Sequence, residues 1–222
     1  MTRRTGWTVA VLALALTACG SDAAPATSTV SPAELKAMLL TVDDLEGIDG
    51  GWTVKADTST ADLGSLAESP CPDVALDQQL VARLKPTDGV IFEPGDGSLR
   101  GIQQLILTGN AAQLKLDLDT VFGNVESCVG VQYEVPDSGE KVEYDLVDVG
   151  ELGDQRSAAT ITAFEPPEFT TTWRGHTAIV RVGAVVIMLN EFEILKSPDE
   201  KPTMTDEMFT SLLTEAVSRL GG

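Results

Sequence analysis

The second half of the chain is written in period two. Val142, Tyr144 and Leu146 alternate with Glu143 and Asp145, and Ala159, Ile161 and Ala163 alternate with threonines. Val131, Tyr133 and Val135 keep the same spacing. Successive side chains of a strand point to opposite faces, so this pattern demands a sheet with one face buried and one wet, as antiparallel sheets commonly are. The stretch HTAIVRVGAVVIMLNEF (176–192) is denser in apolar residues and reads as two central strands around a tight turn near Gly183. GVIFEPGDGSLRGIQQLIL (89–107) reads as two more, turning at Gly95-Asp96-Gly97.

Four segments carry helical signals instead. Ser31 caps a first helix, with Pro32 in its first turn and Glu34 in the capping-box position. Gly47, Gly50 and Gly51 break it, and a loop without clear pattern follows to about Ser69. Leu76, Leu80 and Leu84 mark a second helix over about 72–84, ended by Pro86. Asn110 caps a third, with Gln113 at the capping-box position, a stripe of Leu114, Leu118, Val121, Phe122 and Val125, and Cys128 just past its end. The last is the most regular: Met208, Phe209, Leu212, Leu213, Ala216, Val217 and Leu220 share one face before Gly221. The expected fold is α+β, a curved antiparallel sheet of about six strands with helices packed mainly on one face.

The N-terminus reads as an address. Arg3 and Arg4 precede an apolar run from Trp7 to Leu16, far short of the roughly 20 residues a spanning helix needs. That is the layout of a secretory signal. Leu16-Thr17-Ala18-Cys19 resembles the bacterial lipobox, which implies cleavage before Cys19, a diacylglyceryl group on its thiol and anchoring to the outer face of the cell membrane. The expected organisation is a signal peptide over 1–18, a lipidated Cys19 with a small, Ser/Thr/Pro-rich tether to 31, and one domain over 32–222. The export route, general or twin-arginine, stays open.

Charge narrows the partners. The chain holds 15 Lys and Arg against 34 Asp and Glu. Loss of residues 1–18 removes Arg3 and Arg4 and leaves 13 against 34, a net charge of −21. Such a surface repels phosphate backbones and argues against nucleic acid binding. With Cys19 lipidated, Cys71 and Cys128 remain as an even pair in an exported chain, and a disulfide between them is expected over two buried thiols.

Catalytic signals are sparse. The single histidine, His176, begins a strand and reads as a surface residue at its end. No Gly-x-Ser-x-Gly elbow accompanies it. Ser138-Gly139-Glu140-Lys141 matches Ser-x-x-Lys by letter only, in a loop. One histidine is too few for a typical zinc site. The acidic pairs Asp43-Asp44, Asp117 with Asp119, and Asp199-Glu200 lack the spacing of a calcium loop. Trp52, Trp173 and Arg174 are the ligand-binding candidates, because aromatic faces and a guanidinium suit stacking and polar recognition. No cofactor is expected.

LLTVDDLEGIDGGW (39–52), the early Cys71 followed by a helix, a helix ending at Cys128, GDQRSAATI (153–161), IVRVGAVVIML (179–189) and the C-terminal amphipathic helix occur in that order. Together they resemble the actinobacterial sensor-domain lipoproteins similar to the extracellular domain of PknH-type serine/threonine kinases. The resemblance implies an α+β fold with a curved antiparallel sheet, flanking helices and a cleft for an unidentified ligand. It also implies two disulfides in the kinase's domain, where this chain can form one. The expected function is a non-catalytic, membrane-tethered binding or sensing domain whose partner is a small ligand or an envelope protein. The alternatives are a lipid or glycolipid carrier, with the strands around Val180–Leu189 lining a cavity, and, ranked last, a hydrolase using scattered carboxylates.

Overall fold

The computed structural model describes residues 30–57, 86–134, 141–164, 172–197 and 200–220. The lipobox, the tether up to residue 29, Cys71, the expected helix over 72–84, Ser138 and Asp199 lie outside these; Val30 and Ser31, expected in the tether, belong to the domain, Val30 packing on the core and Ser31 capping the first helix. Among the described residues eight strands form one antiparallel sheet, in the order β1-β2-β3-β8-β7-β6-β5-β4. They are β1 (Trp52–Asp57), β2 (Pro86–Pro94), β3 (Arg100–Thr108), β4 (Tyr133–Glu134), β5 (Lys141–Leu146), β6 (Gln155–Phe164), β7 (Thr172–Val182) and β8 (Val185–Leu195). The sheet exceeds the expected six at both edges. β1 replaces the start of the patternless loop, and two-residue β4 pairs with the start of β5. Both are edge strands; β4 falls within the Val131-Tyr133-Val135 alternation, while β1 lies in the segment read as a loop.

β7 and β8 turn back through Gly183-Ala184, with Val182 paired to Val185. Gly183 stands at φ +59°, the left-handed backbone that a two-residue hairpin needs at its first position.

Among the described residues three α-helices accompany the sheet: α1 (Pro32–Ala37), α2 (Ala111–Cys128) and α3 (Asp206–Ser218). The capping chemistry works as the sequence suggests at α1, where Ser31 N donates to Glu34 Oε2 (2.7 Å) and Glu34 N to Ser31 Oγ (3.3 Å). At α2 the Asn110 side chain accepts from Ala112 N and Gln113 N, but Gln113 turns forward to Asp117 rather than back to the cap.

The helices do not share one face. α1, a 3-10 turn at Val42–Leu45 and α3 cover the face bearing Phe92, Ile102, Ile106, Val180, Ile187 and Leu189. α2 covers the opposite face, packing Leu114, Leu118 and Val121 on Leu105, Leu107, Val186 and Met188. Both phases of β3 and β8 are apolar at this end, so both faces need cover. Gln104 pins the α1 side: its Oε1 accepts from Leu40 N (2.6 Å) and its Nε2 donates to Met38 O (3.3 Å).

Candidate functional site

At the other end of the sheet the two phases of β7 and β8 part company. Trp173 pairs with Ile194, Arg174 with Glu193, Gly175 with Phe192, His176 with Glu191, and Thr177 with Asn190. β3 extends these rows with Arg100 beside Glu193, Gly101 beside Phe192 and Gln103 beside Asn190. Alternation therefore puts Trp173, Gly175, Thr177, Asn190, Phe192 and Ile194 on the α2 face. Arg174, His176, Glu191 and Glu193 go to the α3 face.

The α2 face is open here. Phe192 is 50% exposed and Ile194 39% exposed. The Phe192 ring lies across Gly101, where a Cβ would stand 2.4 Å from Cε1. Beside it runs an uncharged polar row, Gln103–Asn190–Thr177. Thr177 Oγ1 donates to Asn190 Oδ1 (2.8 Å), which fixes the amide and leaves Asn190 Nδ2 buried without a hydrogen-bond partner. An unsatisfied buried donor costs about 1–3 kcal/mol, so such a group calls for an explanation. Trp173, half-buried, borders this surface by packing on the cluster of Cys128, Val142, Tyr144 and Ala163 at the end of α2.

The α3 face carries charge instead, and hides it. Glu191, Glu193, His176 and Arg100 are all buried. His176 Nδ1 lies 2.9 Å from Glu191 Oε2, and Nε2 lies 3.0 Å from Asp206 Oδ1 on the first residue of α3. Its ring stacks on Phe209 at 4.8 Å. Arg174 meets the same Asp206 oxygen at 3.3 Å. Glu193 accepts from Thr203 N (2.6 Å) and Thr203 Oγ1 (2.7 Å). Burial pushes the Glu191 carboxyl above its ordinary range, against the pull of the His176 hydrogen bond. The His176 hydrogen bond holds the Asp206 carboxyl below its own.

The sequence candidates scatter. Trp52 belongs to the core rather than to a binding surface: it is 6% exposed, its Nε1 donates to Ile48 O (3.0 Å), and Arg100 covers its ring at 5.3 Å. Trp173 and Arg174 point to opposite faces, so no single ligand contacts both. His176 is not a strand-end surface residue; it lies within β7, 2% exposed, beneath α3. Cys128 is the last residue of α2 and fully buried, while Cys71 and Cys19 fall outside the described residues. Phe192, Asn190 and Glu191 were missed. The signal was present: in β8 the phase that reads Ile187, Leu189 continues as Glu191, Glu193, an apolar face turning charged.

A shallow depression of about 330 Å³ lies between the 3-10 turn and α3, lined by Asp44, Gly47, Ile48, Met208, Ser211, Leu212 and Glu215. Arg219 already engages both carboxylates, at 2.5 Å from Asp44 and 3.3 Å from Glu215, and donates to Leu39 O. Among the described residues no group of three His, Cys, Asp or Glu side chains is placed to hold a metal ion. None of their helices is long and apolar enough to cross a membrane.

No family model matches the chain, and no curated protein does. Solved structures do. One similar structure, at 12% identity over 89% of this chain and 100% of the other and a TM-score of 0.44, is a putative uncharacterized protein from Mycobacterium smegmatis, an Rv0999 ortholog. The extracellular domain of PknH from Mycobacterium tuberculosis aligns with 87% of this chain and 98% of its own length, at 14% identity and a TM-score of 0.56. The chain thus shares its fold with the extracellular domain of PknH, as the motif order suggested.

Proposed function

We propose that this chain is the ligand-binding domain of an exported, lipid-anchored envelope protein, and that it binds on the open part of the α2 face. One observation carries the reading: Phe192 lies half exposed across Gly101, next to an Asn190 amide that Thr177 fixes and nothing else satisfies. An exposed aromatic face beside convergent polar groups is what a small-molecule site offers. The row is uncharged, so the ligand is an uncharged molecule with a flat apolar part for Phe192 and polar groups for the Gln103–Asn190–Thr177 row. Trp173 forms a wall, and Arg174 takes no part. The extracellular placement of the PknH domain supports export. Cys19 then supplies the diacylglyceryl anchor, residues 20–29 the tether, and a Cys71–Cys128 disulfide fastens the end of α2. No catalytic step is assigned to the domain.

The carrier alternative loses its lining. Val180, Ile187 and Leu189 are buried against the α1 and α3 side, and Val186 and Met188 against α2, so the protein's own helices fill both faces of these strands.

The test is an NMR titration of the protein with fractionated aqueous and organic extracts of an actinobacterial envelope. Specific shifts of the Asn190 side-chain amide and the Phe192 ring, lost in Phe192→Ser, support the reading. Binding that leaves both groups unmoved, or no binding from any fraction, overturns it.

A further inference from the structure

We propose that His176 is a proton-dependent latch, which fastens the first turn of α3 to β7 and β8 only while the set His176, Glu191 and Asp206 carries two exchangeable protons. The geometry requires this count. A carboxylate only accepts, so with two protons on the set the contacts at Nδ1 (2.9 Å) and Nε2 (3.0 Å) are both hydrogen bonds in three arrangements. Either both ring nitrogens are protonated, or one is and the carboxyl facing the other, Glu191 or Asp206, holds the second proton, with the lowered Asp206 leaving that place to Glu191. Removing one proton leaves a ring lone pair facing a carboxylate oxygen at contact distance. The site's low polarity makes that mismatch costly.

The set is buried at one end and wet at the other. The side chains of His176 and Glu191 are 1% and 4% exposed, while that of Asp206 is 55% exposed. Asp206 is therefore the door through which solvent protons reach the pair. It is also the residue that opens α3, and Phe209, one turn on, rests on the imidazole ring. Unfastening Nε2 from Asp206 thus releases the start of the helix before the rest. The other groups facing the set modulate it without replacing it. On β7, Arg174 shares the Asp206 oxygen, and on β6 Thr160 Oγ1 reaches it at 3.4 Å. On β8 and β3, the Glu193 carboxylate and the Arg100 guanidinium act on Glu191 with opposite sign. The latch operates on the α3 face and stands whatever the opposite face binds.

The chain holds one histidine, so histidine-labelled protein yields one set of ring signals. The experiment follows those ring nitrogens by NMR from about pH 4 to about pH 10, a span covering the carboxyl and imidazole ranges. Alongside it, hydrogen exchange follows protection of the Phe209 amide, which bonds Thr205 O at 2.9 Å. The expected result is one titration common to both probes, with protection of Phe209 falling about tenfold across it while central β3 amides keep theirs. Asp206→Asn, a half-exposed change that leaves the buried pair intact, weakens the Nε2 contact and diminishes the Phe209 protection step. His176→Gln abolishes the protection step. Ring signals that do not titrate, Phe209 protection that ignores them, or a Phe209 protection step unchanged in Asp206→Asn each overturn the latch.

Discussion

The Phe192 ring lies on Gly101 so closely that a Cβ there would stand 2.4 Å from Cε1 and 2.8 Å from Cζ. The missing side chain on β3 is the seat of the aromatic on β8. Gly175, on the other flank of Phe192, is tight for a different reason, because its Cβ would meet Glu191 O at 2.5 Å.

These two glycines should therefore respond differently to alanine. Gly101→Ala displaces a half-exposed ring that has room to swing, at about 1 kcal/mol. Gly175→Ala presses on backbone that cannot yield, and about 3 kcal/mol is expected. Urea unfolding measures both. In Gly101→Ala combined with Phe192→Ala, the glycine change should add almost nothing to the Phe192 loss, since the clash needs the ring.

Asn190→Ala should separate stability from binding. It gives up the Thr177 hydrogen bond but also removes the unpaired Nδ2, so the net loss stays within about 1 kcal/mol. Ligand affinity should fall clearly. A thermal melt and a binding titration on the same sample read the two effects.

The carboxyls around His176 set opposite limbs of the stability–pH curve. Asp206 is held below 3.8, so its contribution is present above that value and is lost as pH falls through its lowered pKa. Asp206→Asn should flatten the acid limb. Glu191 is pushed above 4.5 by burial, so its contribution is full below that value and is lost as pH rises through its raised pKa. Glu191→Gln should remove that decline. Denaturant unfolding at a series of pH values tests both signs.

Arg219 joins the last turn of α3 to Leu39 O and Asp44 across the chain. Arg219→Ala should cost about 1 kcal/mol, in keeping with a partly exposed ion pair. Arg219→Lys should recover little, because one ammonium cannot reach Leu39 O, Asp44 and Glu215 at once as the fork does. Chemical denaturation of the two variants side by side decides it.

If Cys71 and Cys128 are joined, the intact protein weighs two hydrogens less than its reduced form. A loop of that length stabilises by about 4 kcal/mol in the chain-entropy account, so Cys71→Ser should melt well below the parent. Equal melting with a full thiol mass would remove the bond from the description.

Features that depend on neighbours along the chain are legible in the residues alone. Ser31 and Asn110 cap their helices, Gly183 makes the hairpin turn, and alternation sets the strands of the second half, since caps, turns and side-chain period act within a few residues. What fills the space across from each face comes from packing between segments far apart in the chain. The same alternation that marks His176 as belonging to a strand says nothing of Glu191, fifteen residues on, or of Asp206, thirty residues on. Residue type alone offers Trp52 for ligand binding, whereas Ile48 and Arg100 enclose it in the core; and the helices, expected mainly on one face, are drawn to opposite faces by the two apolar phases of β3 and β8. Period two names the two faces of a strand. Burial of each face against a distant element decides which becomes core, which hides charge and which stays open to a ligand.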